Sequence, residues 1–192
     1  LQGRYRRKVL KSYADNAGVK GFVVGVSGGI DSALTSTLCA CTGLEVLTIE
    51  MPIHQQPDQA LRGKEHQAWL ATNFPNTKHI QVDLTPVYDN FVTAMQPNGA
   101  SHQLSLANSR ARLRMSTLYY HGQSNGLLVA GTGNKVEDFG VGFYTKYGDG
   151  GVDLSPIADL LKTEVFALAR HLRIVESILD AKPTDGLWGD DR

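Results

Sequence analysis

Short apolar runs alternate with longer amphipathic stretches along this chain, and the alternation predicts strands separated by helices. Apolar residues spaced three and four positions apart between Val9 and Ala17 predict a first helix. Four runs with β-branched residues predict strands: GFVVGV (21–26), EVLTIEM (45–51), TKHIQVDL (77–84) and GLLVAGT (126–132). Further helices are predicted over residues 31–42, 58–73, 85–95, 104–124, 160–172 and 174–180. This order predicts a parallel sheet with helices on both faces and a ligand crevice at the carboxyl ends of the strands.

The segment after residue 131 departs from this pattern. It reads GTGNKVEDFGVGFYTKYGDGGVDLSP, which is rich in glycine and aromatic residues and has only weak periodicity. Such a composition is more typical of a loop that forms a ligand site than of scaffold. We therefore expect a site-forming loop here.

Composition and charge narrow the class of protein. The chain has 192 residues, of which 42% are hydrophobic and 20% charged, so a single globular domain over residues 1–192 is expected. Lys plus Arg equal Asp plus Glu at 19 each, so no charge excess predicts binding to nucleic acid or to a membrane surface. Cys39 and Cys41 point in different directions on a helix, which disfavours a shared disulfide or metal. With no apolar run long enough to span a bilayer, a cytoplasmic protein with small-molecule partners is expected.

One string, SGGIDS, joins the first predicted strand to the next helix. A turn of small residues after a parallel strand exposes backbone N–H groups, and the positive end of the following helix adds to them, so a phosphate fits here. Ser27 and Ser32 add hydroxyl donors, and Gly28 and Gly29 let a phosphate approach the backbone. Asp31 would repel that phosphate unless a divalent cation lay between them, so the string predicts Mg²⁺. The alternative is that Asp31 only caps the helix and the glycines only form a turn.

SGGIDS resembles the pyrophosphate-binding loop of the ATP pyrophosphatases, which cleave ATP between its α and β phosphates and adenylylate a carboxyl or carbonyl oxygen. The strings GTGNKVED, FYTKYGDGGVDLSPIADLLKTEV, NSRARLRM and AKPTDGLW resemble those of the ammonia-dependent NAD synthetases, over almost the whole chain. This resemblance implies an α/β fold with a five-stranded parallel sheet and helices on both faces, similar to the Rossmann fold and to the adenine nucleotide alpha hydrolases. It also implies a homodimer with nicotinic acid adenine dinucleotide at the subunit interface, and a further helical segment after the last residue of this chain.

The resemblance also implies roles for individual residues. Asp31 and Glu137 match Mg²⁺ ligands, and together with Lys162 they form the expected catalytic set. The residues that match the ATP site are Gly25, Ser27, Gly28, Gly29, Ile30, Asp31, Ser32, Thr132, Lys162 and Thr184. Those that match the dinucleotide site are Asn108, Arg112, Lys146 and Asp153.

Several of these assignments have plainer alternatives. Glu137 could be an exposed helix residue, and Lys146 a solvated turn residue. Lys162 lies near a predicted helix start, where a cation opposes the helix dipole, so an anionic ligand explains it better than helix stability does. Arginines two positions apart diverge by about 200° around a helix, so at most two of the three in NSRARLRM share a face. Arg112 is the one expected to bind substrate.

The expected reaction converts ATP, nicotinic acid adenine dinucleotide and ammonia to NAD, AMP and pyrophosphate. No stretch of these 192 residues resembles an amidase, so free ammonia or a separate protein is the expected nitrogen source. Two alternatives remain: another amidating ATP pyrophosphatase, such as one acting in guanylate synthesis, and a module of the same fold that binds ATP without chemistry. Two acidic metal ligands with cations from distant loops favour an enzyme, because a binding module needs only the phosphate loop.

Overall fold

A computed structural model describes residues 2–96 and 102–181 of the chain. The strands are β1 (Gly21–Val26), β2 (Glu45–Glu50), β3 (Thr77–Gln81) and β4 (Leu127–Val129). The helices are α1 (Gln2–Ala17), α2 (Ile30–Ala40), α3 (Pro57–Asn73), α4 (Thr85–Met95), α5 (Gln103–Asn125), α6 (Lys162–His171) and α7 (Glu176–Leu179). The α/β alternation predicted from the sequence is confirmed.

The order of the strands places the ligand crevice. The sheet is ordered β3-β2-β1-β4, and every neighbouring pair is parallel. The chain therefore adds β2 and β3 on one side of β1 and later adds β4 on the other side. In parallel sheets a crevice opens where the direction of winding reverses, outside the carboxyl ends of the strands. Here that place lies between β1 and β4.

The fifth strand is not found in the part of the chain that the structure describes, which has a four-stranded sheet. Beyond β4 there is a single parallel bridge, between Ala130 and Leu154. The side chain of Asp153 accounts for the difference, because its Oδ2 accepts the N–H of Val129 at 2.8 Å, where the carbonyl of a fifth strand would bind. Pro156 stands two positions after Leu154 and has no N–H to continue a ladder. For the described residues, the expectation of five strands is wrong.

The core has one apolar layer on each face of the sheet. Helices α1, α2, α6 and α7 contribute to one layer, in which Phe22 and Val24 of β1 are fully buried. Helix α5 covers β1 and β4 on the other face, where Val23 and Ile49 are fully buried. Adjacent residues of β1 thus serve opposite layers, which is why its sequence is an unbroken apolar run.

The segment after β4 contains a feature that periodicity did not predict. Val136–Val141 forms a π-helical turn, followed by Gly142 with φ 68°. The turn begins where Oδ1 of Asn134 accepts the backbone N–H groups of Val136 and Glu137 at 3.0 and 3.2 Å. So short a turn has too few residues to produce a periodic pattern, and short π-helical turns often occur at functional sites.

Two further features are the state of the cysteines and the apolar character of the helices. Cys39 and Cys41 are free thiols, and burial raises the pKa of Cys39. Among the residues described, no helix has the length and apolar character needed to cross a bilayer.

The side chain of His66 lies fully buried between α3 and α2. Its Nε2 is 2.9 Å from Oγ of Ser36, and its ring stacks on Trp69 with 5.7 Å between centroids. Burial lowers the pKa of His66 from 6.5 to about 4. On acidification the unfolded chain therefore binds a proton before the folded chain does, and stability that is complete above pH 6.5 is lost as the pH falls toward 4.

Acidification from pH 7 to pH 5 should lower the free energy of unfolding by about 2 kcal/mol through His66. His66→Gln cannot take up this proton, so its loss over the same interval should be smaller, although the variant is less stable at pH 7. Urea unfolding at the two pH values measures both effects. His171→Gln, at an exposed position of α6, is the control and should keep the original pH dependence. Equal losses in the His66 variant and the unchanged protein would contradict the assignment.

Candidate active site

A cavity of about 550 Å³ opens at the carboxyl ends of β1 and β4. Its apolar lining includes Met51, Met115, Leu118, Phe143 and Tyr144, and its polar lining includes Ser27, Ser32, Asn108, Arg114 and Thr132. Gly25 lies at its base, where an added Cβ would be 3.0 Å from Met51 Cε. The volume is typical of small-molecule sites. An apolar slot with hydroxyl groups at one end suits a nucleoside attached to phosphate.

The loop SGGIDS contributes Ser27 and Ser32 to the lining of this cavity. Gly28 has φ 83°, and a Cβ there would lie 2.3 Å from the carbonyl oxygen of Gln59 on α3, so glycine is required. The Ser27 N–H donates to Oγ of Ser32, and the Gly29 N–H donates to Oγ of Ser27, both at 3.2 Å. The expectation of unpaired N–H groups is therefore wrong for Ser27 and Gly29, because serine hydroxyls of the loop are close enough to accept these two N–H groups. A charged phosphate oxygen is a stronger acceptor than a hydroxyl at this distance.

Asp31 lies in the first turn of α2 but does not cap the helix. The N-cap position is Gly29, and no side chain caps α2. Instead, Oδ1 of Asp31 accepts from Nδ2 of Asn134 at 3.1 Å, and Oδ2 accepts from Nζ of Lys162 at 2.5 Å. The simple helix-cap interpretation of Asp31 therefore has no support in these contacts.

Lys162 brings the two expected metal ligands together. Its Nζ also donates to Oε1 of Glu137 at 3.1 Å, so one ammonium lies between two carboxylates. Burial raises the pKa of Asp31 more than the ammonium lowers it. Burial alone would lower the pKa of Lys162, but the charges of Asp31 and Glu137 outweigh it and raise that pKa. All three expected catalytic side chains meet in this cluster, which we call the acid–lysine cluster.

The chemistry of the acid–lysine cluster suits Mg²⁺. This ion prefers oxygen ligands and is usually held by one or two carboxylates together with phosphate and water oxygens. No group of three or more His, Cys, Asp or Glu arranged for a metal is found among the described residues. The pair Asp31 and Glu137 therefore fits an ion that a phosphate helps to hold, not one enclosed by protein alone.

The other residues expected at the ATP site are distributed between the cavity lining and the SGGIDS loop with the acid–lysine cluster. Gly25, Ser27, Ser32 and Thr132 line the cavity. Gly28, Gly29, Ile30, Asp31 and Lys162 lie outside its lining, and the side chain of Ile30 packs in the core. Thr184 lies outside the described residues.

Two of the residues expected at the dinucleotide site hold a loop. Asn108 and Arg112 are one turn apart on α5, and both contact the turn that follows Gly142. Oδ1 of Asn108 accepts from Oγ1 of Thr145 at 2.8 Å, and Nε of Arg112 donates to the carbonyl oxygen of Lys146 at 3.2 Å. Asn108 lines the cavity, and Arg112 does not. Their contact with a substrate stays a prediction.

The other two residues expected at the dinucleotide site are Lys146 and Asp153. Nζ of Lys146 lies over the ring of Tyr147, 5.1 Å from its centroid. Asp153 accepts from the Val129 N–H at 2.8 Å and from the hydroxyl of Tyr119 at 3.0 Å, which fixes it beside β4. Neither residue lines the cavity, and their expected role also stays a prediction.

Sequence reasoning missed Arg114, which lines the cavity, whereas Arg112, the arginine of α5 expected to bind the dinucleotide, does not line it. Its Nε donates to the carbonyl oxygen of Met51 at 3.1 Å, and burial lowers its pKa to about 10. A signal was present in the sequence: Arg114 shares a helical face with the small residues Ala107 and Ala111, which also line the cavity. Sequence reasoning also missed Asn134, which stands between Thr132 and Glu137 in the sequence. Its side chain is fully buried.

The fold and the site together are typical of a class of nucleotide-binding enzyme: a parallel α/β sheet with a glycine-serine loop after β1 and an acidic pair beside it. Comparison with known proteins identifies the family. A model of the NAD synthase family matches residues 3–191. The chain belongs to the NAD synthase family.

Curated relatives carry the same description. The NH(3)-dependent NAD(+) synthetase of Methanosarcina acetivorans is 40% identical over 181 residues, which cover 93% of this chain and 69% of the relative. That of Carboxydothermus hydrogenoformans is 42% identical over 93% of this chain and 72% of the relative. Like these relatives, the chain is a ligase.

Solved structures agree in fold. The NMN synthetase of Francisella tularensis has a TM-score of 0.90 and 33% identity, covering 98% of this chain and 76% of that one. The NH3-dependent NAD synthetase of Campylobacter jejuni has a TM-score of 0.82 and 31% identity, covering 93% of this chain and 75% of that one.

Gly28→Ala should weaken ATP binding about tenfold or more, because the added methyl group meets backbone of α3 and the loop must move. The control is Gly43→Ala: Gly43 has φ 77° but nothing within 4 Å of an added Cβ. In both variants an alanine must adopt a left-handed backbone conformation, which costs about 1 kcal/mol. Only Gly28→Ala alters the SGGIDS loop. Calorimetry with a non-hydrolysable ATP analogue measures the binding, and thermal unfolding measures the strain. Unchanged binding in Gly28→Ala would exclude this loop as the phosphate site.

Proposed function

We propose that the cavity and the acid–lysine cluster catalyse the ATP-dependent amidation of nicotinic acid adenine dinucleotide by ammonia. An oxygen of the nicotinate carboxylate attacks the α phosphorus of ATP, and the bond to the β phosphate breaks, which yields an acyl adenylate and pyrophosphate. Ammonia then attacks the carboxyl carbon and AMP leaves, which yields NAD. The observation that carries the proposal is the meeting of Asp31, Glu137 and Lys162, from three separate elements, beside a phosphate loop.

In this proposal the cavity holds ATP. The apolar wall formed by Met51 and Leu118 takes the adenosine, and Ser27, Ser32 and Thr132 face the phosphates. The Ser27 and Gly29 N–H groups exchange their serine acceptors for phosphate oxygens. The glycine loop and the start of α2 add favourable electrostatics for an anion.

Asp31 and Glu137 would hold Mg²⁺, and the ion when bound supplies charge stabilisation for the departing pyrophosphate. Lys162 lies within hydrogen-bond distance of both carboxylates, so it adds positive charge at the same place. Asn134 keeps Asp31 directed toward Lys162. In this proposal the ammonium of Lys162 lies where negative charge accumulates during the cleavage of ATP.

We place the acid substrate against Asn108, Arg112, Lys146 and Asp153, with a second subunit completing the site. Support for a homodimer comes from α4 and α5, since α4 has no buried residue and α5 has two, Ala107 and Gly122. Leu104 and Tyr120 of α5 are 59% and 67% exposed, and a second subunit packed on α5 would cover apolar side chains of this kind.

A second candidate substrate is nicotinic acid mononucleotide. The structural neighbour with a TM-score of 0.90 is described as an NMN synthetase. The mononucleotide has the same nicotinate carboxylate as the dinucleotide, so the same two chemical steps would convert it to an amide. The proposed chemistry of the site is the same for both acids, and only the recognition of the second nucleotide half differs.

With either acid, Mg-ATP and ammonium, the protein should release AMP and pyrophosphate in equal amounts. Carboxylate labelled with ¹⁸O should transfer label to AMP, because the carboxylate oxygen attacks the α phosphorus. Chromatography with mass spectrometry measures both results, and the ratio of kcat/KM for the two acids identifies the preferred substrate. ADP and phosphate as products would contradict the proposal.

Asp31→Asn should lower kcat on the order of a hundredfold or more, because the variant keeps the shape but loses a charge needed at the metal site. Glu137→Gln should behave alike, and the double variant should be little worse than either single one, since both carboxylates serve one site. Asp58→Asn is the control: Asp58 is also in the first turn of a helix and paired with a cation, Arg62 at 2.9 Å.

The control variant should keep full activity, and all four proteins should remain folded by circular dichroism. If Asp31→Asn kept its turnover and its dependence on Mg²⁺ while only the unfolding temperature fell, the proposed role of Asp31 would be refuted.

A further inference from the structure

Asn134 connects the two carboxylates of the acid–lysine cluster. It is fully buried, and its carboxamide makes three hydrogen bonds. Nδ2 donates to Oδ1 of Asp31 at 3.1 Å, and Oδ1 accepts the N–H groups of Val136 and Glu137 at 3.0 and 3.2 Å. One side chain therefore fixes both a side-chain oxygen of Asp31 and the backbone that carries Glu137.

These bonds require a group that both donates and accepts. A carboxylate at position 134 could accept the two N–H groups but would repel Asp31, and a hydroxyl is too short to reach all three partners. The contact also divides the two oxygens of Asp31: Oδ1 is held by Asn134, and Oδ2 faces Lys162 and, beyond its ammonium, Glu137. Asp31 thus presents a single oxygen to the space between the carboxylates.

The number of oxygens presented matters for the choice of ion. Mg²⁺ requires near-octahedral geometry at about 2.0–2.1 Å, whereas Ca²⁺ accepts irregular geometry at about 2.3–2.6 Å and is often bound by both oxygens of a carboxylate. Asp31 suits the first ion, because Asn134 holds its Oδ1 and only its Oδ2, shared with the ammonium of Lys162, faces the second carboxylate. A carboxylate free to rotate can offer both oxygens, which suits the second.

We propose that Asn134 is a positioning residue that makes the Asp31–Glu137 pair selective for Mg²⁺ over Ca²⁺. The proposal rests on the proposed function, since it assumes that these carboxylates hold the metal of a metal–ATP complex. It concerns a residue that touches neither ATP nor the reacting atoms. Its effect is exerted through the orientation of Asp31 and the placement of Glu137.

The test measures metal selectivity by binding, without turnover. Calorimetry would give the affinity of the protein for α,β-methylene-ATP, which cannot be cleaved between the α and β phosphates, alone, with Mg²⁺ and with Ca²⁺. In Asn134→Ser, the hydroxyl can still accept an N–H at the start of the π-helical turn but cannot reach Asp31. The affinity with Mg²⁺ should fall about tenfold, as is usual when a group supporting a metal ligand is lost. The affinity with Ca²⁺ should fall much less, so the ratio of the two affinities changes.

A second variant removes the same contact in a different way. Asn134→Asp keeps an acceptor for the two N–H groups, loses the donor to Asp31 and adds a negative charge, which attracts both divalent ions. The ratio of affinities should therefore shift toward Ca²⁺ in this variant too, whatever happens to their absolute values.

The matched control is Asn76, another amide that ties separate segments together. Its Nδ2 donates to the carbonyl oxygens of Ala40 and Leu44 at 3.0 and 2.7 Å, at the opposite end of the sheet. Asn76→Ser and Asn76→Asp should lower the unfolding temperature and leave the ratio of Mg²⁺ to Ca²⁺ affinities unchanged.

The outcomes are distinct. A shift of the ratio in both Asn134 variants, with none in the Asn76 variants, supports the proposal. An unchanged ratio in the Asn134 variants, with loss of stability alone, overturns it and leaves the proposed function intact. Binding of the analogue that does not depend on metal in the unchanged protein would overturn the metal site itself, and the inference with it.

Discussion

Two carboxylates that repel each other must be held close together for this site to exist, and much of its local structure serves that constraint. Asp31 and Glu137 lie near each other in a partly buried place, where water screens their charges less than at the surface. Lys162 offsets the repulsion by placing one ammonium between them. Asn134 removes the remaining freedom by holding one carboxylate and the backbone of the other.

The parallel sheet makes this arrangement possible because it brings distant segments to one edge. The carboxyl end of β1 leads into α2, which carries Asp31, and the carboxyl end of β4 leads into the π-helical turn, which carries Glu137. β1 and β4 are neighbours only because the winding of the sheet reverses at β1. The carbonyl oxygen of Leu160, just before α6, accepts the N–H of Lys135 at 3.0 Å, and this contact brings Lys162 to the same edge. The position of the site therefore follows from the order of the strands.

The scaffold could be predicted from the sequence, and the fine geometry could not. GFVVGV predicts a strand because a strand buried on both faces has no polar alternation, and β1 is such a strand. The more polar run TKHIQVDL also forms a strand, but β3 lies at the edge of the sheet and has no buried residue. The fifth strand came from family resemblance alone, and the side chain of Asp153 occupies the backbone group that it would need. The contacts of Asp31 lie 103 and 131 positions away, so no local pattern encodes them. The expectation for Arg112 came from the family resemblance, and the position of Arg114 in the cavity could not be predicted because the face of α5 that meets the cavity depends on how the helix packs.

The loop after the π-helical turn links the two halves of the proposed reaction. Thr145 is held by Asn108, and Phe143, Tyr144 and Thr145 line the cavity proposed for ATP. A residue matched to the acid substrate therefore supports a wall of the ATP cavity. If Asn108 also contacts the acid, as proposed, the acid and a wall of the ATP cavity share one hydrogen-bonded residue, so binding of the acid is physically coupled to the shape of the ATP cavity.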